Sequence, residues 1–254
     1  MTIDTTLPQL LRKNAAALRG KTAMREKDLG IWQPYSWERY WEETRDLALG
    51  LAAAGFKAGD KLAVIGENRP RLYFAQLAAM CLGGIAVPAY QDAIAAELAY
   101  VLDHAEISAI VAEDQEQVDK ILSVRDRLPH LKLIVYDDPR GLGDYDEPIL
   151  KPFPEITEAG RAFGAAHPGY IEAIIDAAKP DDLCLFSYTS GTTSRPKGVM
   201  LSHANLLCAA QALAKADDVR AGDDFLAYLP MAWIGNSLFA IALHLWMGFT
   251  CNYP

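Results

Sequence analysis

Between residues 62 and 136 the chain repeats one pattern: a short apolar run, a turn, then a segment with helical spacing. The runs are residues 62–65 (LAVI), 85–87 (IAV), 107–112 (ISAIVA) and 132–136 (KLIVY). They are almost continuously apolar rather than alternating, as expected of strands covered on both faces. Residues 70–81, 96–104 and 114–127 separate them and read as helices. Parallel neighbours need such crossovers. The pattern therefore predicts an α/β fold, with doubly wound, mostly parallel sheets carrying helices on both faces.

A helix precedes this region. Ser36 is a good N-cap and Glu38 suits the positive first turn. Trp37, Tyr40, Trp41, Thr44, Leu47, Ala48 and Leu51 recur at helical spacing, which marks the aromatics as core, and Gly55 closes the segment. Residues 35–136 thus form a first βα region. Residues 137–168 turn rich in proline, glycine and charge without a steady period, and read as a surface excursion. Regular structure resumes over 169–254 with a helix at 170–178 and a strand at 183–188.

Composition narrows the class. With 51% hydrophobic residues the chain is not disordered, and a net charge of −9 without any basic cluster excludes a nucleic-acid surface. Cys81, Cys184, Cys208 and Cys251 lie far apart in apolar surroundings, as buried free thiols of a reducing compartment do. The first residues lack the basic-then-apolar order of a secretory signal, so a cytoplasmic location is expected. The uncharged runs 72–91 and 225–254 are interrupted by Gly83-Gly84, Pro88, Pro230, Asn236 and Gly248. Neither is a transmembrane span; the second divides into strand, loop, helix and strand.

The strand at 183–188 delivers the most informative stretch, YTSGTTSRPKGVMLSH, residues 188–203. Thr189, Ser190, Thr192, Thr193 and Ser194 cluster with Gly191 before Arg195-Pro196-Lys197-Gly198. Glycine lets backbone N–H groups approach an anion, hydroxyls add donors, and a lysine supplies a mobile point charge for phosphate. The run leaves the end of a buried strand, where open α/β sheets bind ligands. It is not a Walker A loop, because Lys197 precedes the second glycine and Val199-Met200-Leu201 continues as strand. Polyphosphate binding is the chemistry that uses all these groups.

The segment TSGTTSRPKG resembles the phosphate-binding signature of the adenylate-forming superfamily, which includes acyl-CoA synthetases. LAAAGFKAGDKLAVIGENRPRLYFAQLAAMCLGGIAVPAY and YLPMAWIGNSLF resemble its N-terminal and acyl-pocket segments, so the similarity runs from about residue 7 onward. EDQEQVDKIL, residues 113–122, and the 137–168 stretch look most like the long-chain fatty acyl-CoA synthetase branch. The resemblance implies ATP, Mg2+ and coenzyme A as cofactors and a small-molecule carboxylic acid, a long-chain acyl group, as partner. Thr189, Ser190, Gly191, Thr192, Thr193, Ser194 and Lys197 would then bind the ATP phosphates, with the Thr189 hydroxyl near the metal. Trp233 would wall or gate the acyl pocket, against the alternative of a packed core tryptophan.

Two positions depart from that pattern. Ser194 stands where most members carry glycine, and Trp233 falls where the family's LP-x-x-H segment carries histidine. His104, His203 and His244 receive no catalytic role, and the pairs Asp181-Asp182 and Asp223-Asp224 read as solvated turn charges. The superfamily's enzymes are about twice as long. The expectation is therefore that residues 1–254 are the N-terminal part of the AMP-binding large domain, without the C-terminal domain, with the catalytic lysine beyond Pro254, and inactive alone. The run 225–254 would then expose Phe239, Leu243 and Trp246, allowing a homodimer; peripheral membrane association also fits this branch. An enzyme for aromatic acids or carrier-protein transfer, and a non-catalytic nucleotide-binding module, remain the alternatives.

Overall fold

The computed structural model describes residues 3–189 and 195–254. Its strands in chain order are β1 Thr22–Asp28, β2 Ile31–Ser36, β3 Lys61–Ile65, β4 Ile85–Ala89, β5 Ala109–Ala112, β6 Leu133–Tyr136, β7 Leu150–Pro152, β8 Leu183–Thr189, β9 Lys197–Ser202, β10 Asp224–Leu226 and β11 Thr250–Tyr253. Among the described residues they form a seven-stranded sheet, β7-β6-β5-β3-β4-β8-β9, and a four-stranded sheet, β10-β11-β1-β2. Every pairing in the larger sheet is parallel except β8–β9, and in the smaller only β1–β2 is antiparallel.

Successive residues of β3 enter different cores. Leu62 and Val64 join the cluster shared with the smaller sheet, while Ala63 and Ile65 face Leu98, Leu102, Val118 and Ile121 on the opposite side. Burial on both faces is what the continuous apolar runs required, and the doubly wound α/β arrangement follows. Helix Pro70–Cys81 buries every residue except Arg71, which explains why its sequence is apolar all round rather than striped. Helix Trp37–Ala53 starts on Ser36, whose hydroxyl accepts from the Arg39 N–H, and buries Trp37, Tyr40, Leu47 and Leu51 as expected.

Three expectations need correction. The segment 137–168 contains β7 and helix Phe153–Ala166. This helix buries Phe153, Ile156, Thr157 and Gly160, a stripe that Pro152, Pro154 and two small glycines obscure in the sequence. Glycines on both helices serve close packing: a Cβ on Gly160 would lie 1.9 Å from the Asp46 carbonyl oxygen, and one on Gly50 of helix Trp37–Ala53 would lie 2.1 Å from that of Ile156. The expected exposed face on 225–254 is covered within the chain. Leu243 is buried, Phe239 and Trp246 pack against the main core, and Phe239 stacks on Phe225 at 5.6 Å. Cys208 is exposed, whereas Cys81, Cys184 and Cys251 are buried as expected.

Helix Leu7–Ala17 and the β1–β2 hairpin, about which the sequence reading made no statement, precede the first predicted helix. Thr6 and Gln9 form a reciprocal capping box around Pro8 there. No helix of the described residues is long and apolar enough to cross a membrane.

Candidate functional site

The larger sheet reverses its winding at β3, since β4 lies on one side of it and β5 on the other. Open sheets commonly bind ligands at such a reversal. Here the crevice between the ends of β3 and β5 holds a side chain of the protein itself. Glu113 follows β5 and is buried; its Oε2 accepts from the Glu67 N–H at 2.6 Å and its Oε1 pairs with Arg69 Nε. Arg69 reaches on to Glu26 of β1 at 3.6 Å, and Glu26 accepts from the Tyr35 hydroxyl at 3.0 Å. Gly66 makes this arrangement possible: its φ is +154°, and a Cβ would lie 2.5 Å from that of Glu113.

The open space lies next to this plug. A cleft of about 480 Å³ is lined by Gly66–Asn68 after β3, Ala89–Asp92 after β4, Ala227–Met231 after β10, and Pro254 after β11. Its walls join the carboxyl ends of both sheets. Asn68 fixes one wall, donating through Nδ2 to the carbonyls of Ala227 at 3.1 Å and Leu229 at 2.8 Å. The Tyr73 hydroxyl donates to Asn68 Oδ1 at 2.7 Å and accepts from buried Asn236 Nδ2 at 2.8 Å. The cleft therefore combines amide and carboxylate groups (Asn68, Gln91, Glu67, Asp92) with an apolar rim of Leu229, Pro230 and Met231. It can hold a molecule with a polar end and an apolar body.

Of the phosphate-loop candidates, Thr189 and Lys197 sit on the same end of the larger sheet, because β8 runs parallel to β4, with Leu185 beside Ala86. Thr189 ends β8 and Lys197 begins β9, and the two residues are register partners in the antiparallel pair. Both are exposed. Ser190, Gly191, Thr192, Thr193 and Ser194 lie outside the described residues. Gly198 faces Tyr188; a Cβ there would come within 3.2 Å of the tyrosine ring. Tyr188 is buried, and burial, with Tyr100 nearby, pushes its hydroxyl pKa up to about 12.

Trp233 is not a packed core residue. It is 50% exposed and precedes helix Ile234–Ser237, two residues beyond the cleft-lining Met231. His203 and His244 are buried, and burial lowers both pKa values to about 4. His203 accepts the Leu7 N–H through Nδ1 at 3.4 Å, and His244 stacks with Tyr40 and Trp37, so neither faces the cleft lining. Asp182 and Asp223 cap the N–H groups of Lys179 and Arg220, while Asp224 pairs with Arg25. Asn68, Tyr90 and Gln91 were not singled out as site residues from the sequence. The available signal was their position: each follows the carboxyl end of an apolar strand.

Three comparisons bear on this architecture. Residues 11–254 match the family model described as AMP-binding enzyme. Among curated proteins, the long-chain-fatty-acid–CoA ligase ACSBG2 of Xenopus laevis is 32% identical over 94% of this chain and 32% of its own length. The long-chain-fatty-acid–CoA ligase ACSBG1 of Rattus norvegicus is 30% identical over 85% of this chain and 29% of its own. The chain thus spans about a third of the length of these relatives.

Among solved structures, the anthranilate CoA ligase AuaEII in complex with anthranoyl-AMP superposes with a TM-score of 0.82 at 20% identity, covering 99% of this chain and 45% of that one. The inhibitor-bound N-terminal domain of FACL13 from Mycobacterium tuberculosis gives 0.77 at 22% identity, covering 98% and 57%. These two likenesses concern the fold. With the family model matched over residues 11–254, the chain belongs to the AMP-binding enzyme family.

Proposed function

We propose that the whole protein activates a carboxylic acid, a long-chain fatty acid, at the expense of ATP and passes the acyl group to coenzyme A. The carboxylate oxygen attacks the α-phosphorus of ATP and pyrophosphate leaves, giving an acyl-adenylate. The coenzyme A thiol then displaces AMP to form the thioester. The observation that carries this reading is the register pairing of Thr189 with Lys197 at the cleft end of the sheet. It sets a hydroxyl donor opposite an ammonium donor at the two stems of the loop.

The difficulty of the first step is electrostatic, because one anion must approach another. Donors aimed at the charge on the leaving pyrophosphate lower that barrier without reorganising at the moment of reaction. On this reading Lys197 and Thr189 supply such donors, and Ser190 to Ser194 lie between them in sequence. A magnesium ion would be held by the phosphates together with the Thr189 hydroxyl, and would supply charge neutralisation. The acid's apolar body fits the Leu229–Met231 side of the cleft, with Trp233 near its rim. On this reading the enzyme works in the cytoplasm. The resemblance assigns the catalytic lysine to a position beyond Pro254, so residues 1–254 alone are expected to form no thioester.

The test is pyrophosphate exchange by the whole protein across a panel of aliphatic and aromatic acids, with Lys197→Ala alongside. Exchange should be strongest with long aliphatic acids and fall about 10²–10³-fold in the variant. Thioester formation from preformed acyl-adenylate should stay near wild type. Equal loss in both half-reactions would remove the phosphate assignment, and exchange confined to aromatic acids would replace the substrate class.

A further inference from the structure

The strand that carries Lys197 is poorly supported by the sheet. Among the described residues β9 is an edge strand paired only with β8, and its Val199 and Met200 are 43% and 61% exposed. A hairpin of this kind needs a second contact if its stems are to hold donors at fixed positions. Helix Ala95–His104 supplies one. Leu98, Ala99 and Leu102 anchor this helix in the core, which leaves Tyr100 and His104, one turn apart, for other contacts.

Both residues reach the loop stems. The Tyr100 hydroxyl donates to the Pro196 carbonyl at 3.2 Å, immediately before Lys197. His104 Nδ1 lies 2.8 Å from the Tyr188 hydroxyl, immediately before Thr189. The rings reinforce this geometry. Tyr100 and His104 are 5.5 Å apart, His104 meets Tyr188 edge-on at 5.8 Å, and the Arg195 guanidinium lies 5.5 Å over the Tyr100 ring. One helical turn therefore grips the chain on each side of residues 190–194.

We infer that Tyr100 and His104 are positioning residues for the adenylation step, acting through Lys197 and Thr189 by fixing the two stems of the loop. The inference rests on the phosphate-binding reading of that loop. Neither side chain touches the reacting atoms; each removes freedom from a donor that must be aligned before reaction. Small misplacements of such groups cost large factors in rate. Tyr100→Phe keeps the ring under Arg195 and deletes only the hydroxyl, and His104→Asn keeps a polar atom near the place of Nδ1, whereas His104→Ala does not.

The experiment measures single-turnover acyl-adenylate formation by the whole protein, with melting temperatures for every variant. Tyr100→Phe and His104→Ala should each slow the step about 5- to 20-fold in kcat, with unchanged melting temperature, and His104→Asn should recover most of the loss. In a Lys197→Ala background the Tyr100→Phe effect should shrink towards one, because the group it positions is gone. Undiminished effects in that background, or wild-type rates in both single variants, would overturn the brace. A normal loss with Lys197→Ala beside those wild-type rates would leave the phosphate reading standing. Absence of adenylation by the wild-type protein with every acid would remove that reading and this inference with it.

Discussion

Asn68 Nδ2 donates to the carbonyl of Leu229 at 2.8 Å, so one amide ties the loop after β3 to the loop after β10 and fixes the distance across the cleft. The same amide donates to Ala227, and its Oδ1 accepts from Tyr73. Asn68→Ala is expected to lower unfolding free energy by about 1–3 kcal/mol, the range for stranding buried polar groups. Asn68→Asp should be at least as damaging at neutral pH, since a carboxylate cannot donate and would face two carbonyl oxygens. Urea denaturation of both variants checks this; an aspartate variant as stable as wild type would contradict the donor assignment.

Gly160 and Gly50 set how closely helices Phe153–Ala166 and Trp37–Ala53 approach. A methyl group on Gly160 meets backbone on two sides, the Asp46 oxygen at 1.9 Å and the Gly50 nitrogen at 2.6 Å. Neither neighbour is a flexible side-chain end, so the helices must separate. Gly160→Ala is expected to cost about 3 kcal/mol or more, at the upper end of overpacking losses. Gly143→Ala, where a Cβ meets nothing within 4 Å, should stay within about 0.5 kcal/mol. Thermal melting of the two variants side by side separates close packing from any general effect of replacing glycine.

Stability should also fall on mild acidification. Burial depresses the His203 and His244 pKa values to about 4, against about 6.5 in an unfolded chain. Above pH 6.5 both states are neutral and nothing is lost. Between 6.5 and 4 the unfolded state binds protons that the folded state refuses, so stability declines as pH falls through that window. Below 4 the loss levels off. Each histidine contributes on the order of 3 kcal/mol across the window. His244 sits among Trp37, Tyr40 and Phe249, which suits His244→Phe as the test. The variant should show a shallower stability–pH slope between pH 6.5 and 4.5; an unchanged slope would mean that His244 does not titrate as its burial requires.

The sheet from β3 to β6 was legible because strands buried on both faces read as unbroken apolar runs. Other parts hid for identifiable reasons. β1 reads TAMREKD, with only Ala23 and Met24 buried, and its hairpin turns through Leu29 and Gly30 at φ 47° and 80°. That turn usually announces itself as Asn-Gly, and a leucine in its place removes the signal. Helix Phe153–Ala166 replaces part of its apolar stripe with glycine, since its neighbour comes too close for larger side chains. Of the cleft, only the wall at Tyr228–Met231 lay in a segment the sequence singled out as pocket-forming. Its lining spans residues 66 to 254 and comes from four strand ends that only the topology brings together.

Trp233 offers the sharpest test of where the acid's apolar body lies. The side chain is 50% exposed, so truncating it removes little core packing. Its backbone is held independently: its N–H donates to the Pro230 carbonyl at 2.9 Å, and its carbonyl accepts from the Asn236 N–H at 2.9 Å. Trp233→Ala should therefore keep the local turn and change stability by less than about 1 kcal/mol. If the indole limits the acyl site, its loss opens room for added methylenes, each worth on the order of 1–3 kcal/mol in discrimination. The ratio of kcat/KM values between acids differing by several methylenes should then shift at least tenfold towards the longer acid. The KM for ATP should stay within a few-fold, because Thr189 and Lys197 are untouched. A stable variant with the wild-type chain-length profile would place the acyl body away from Trp233, leaving the Leu229–Met231 wall as the side to mutate next.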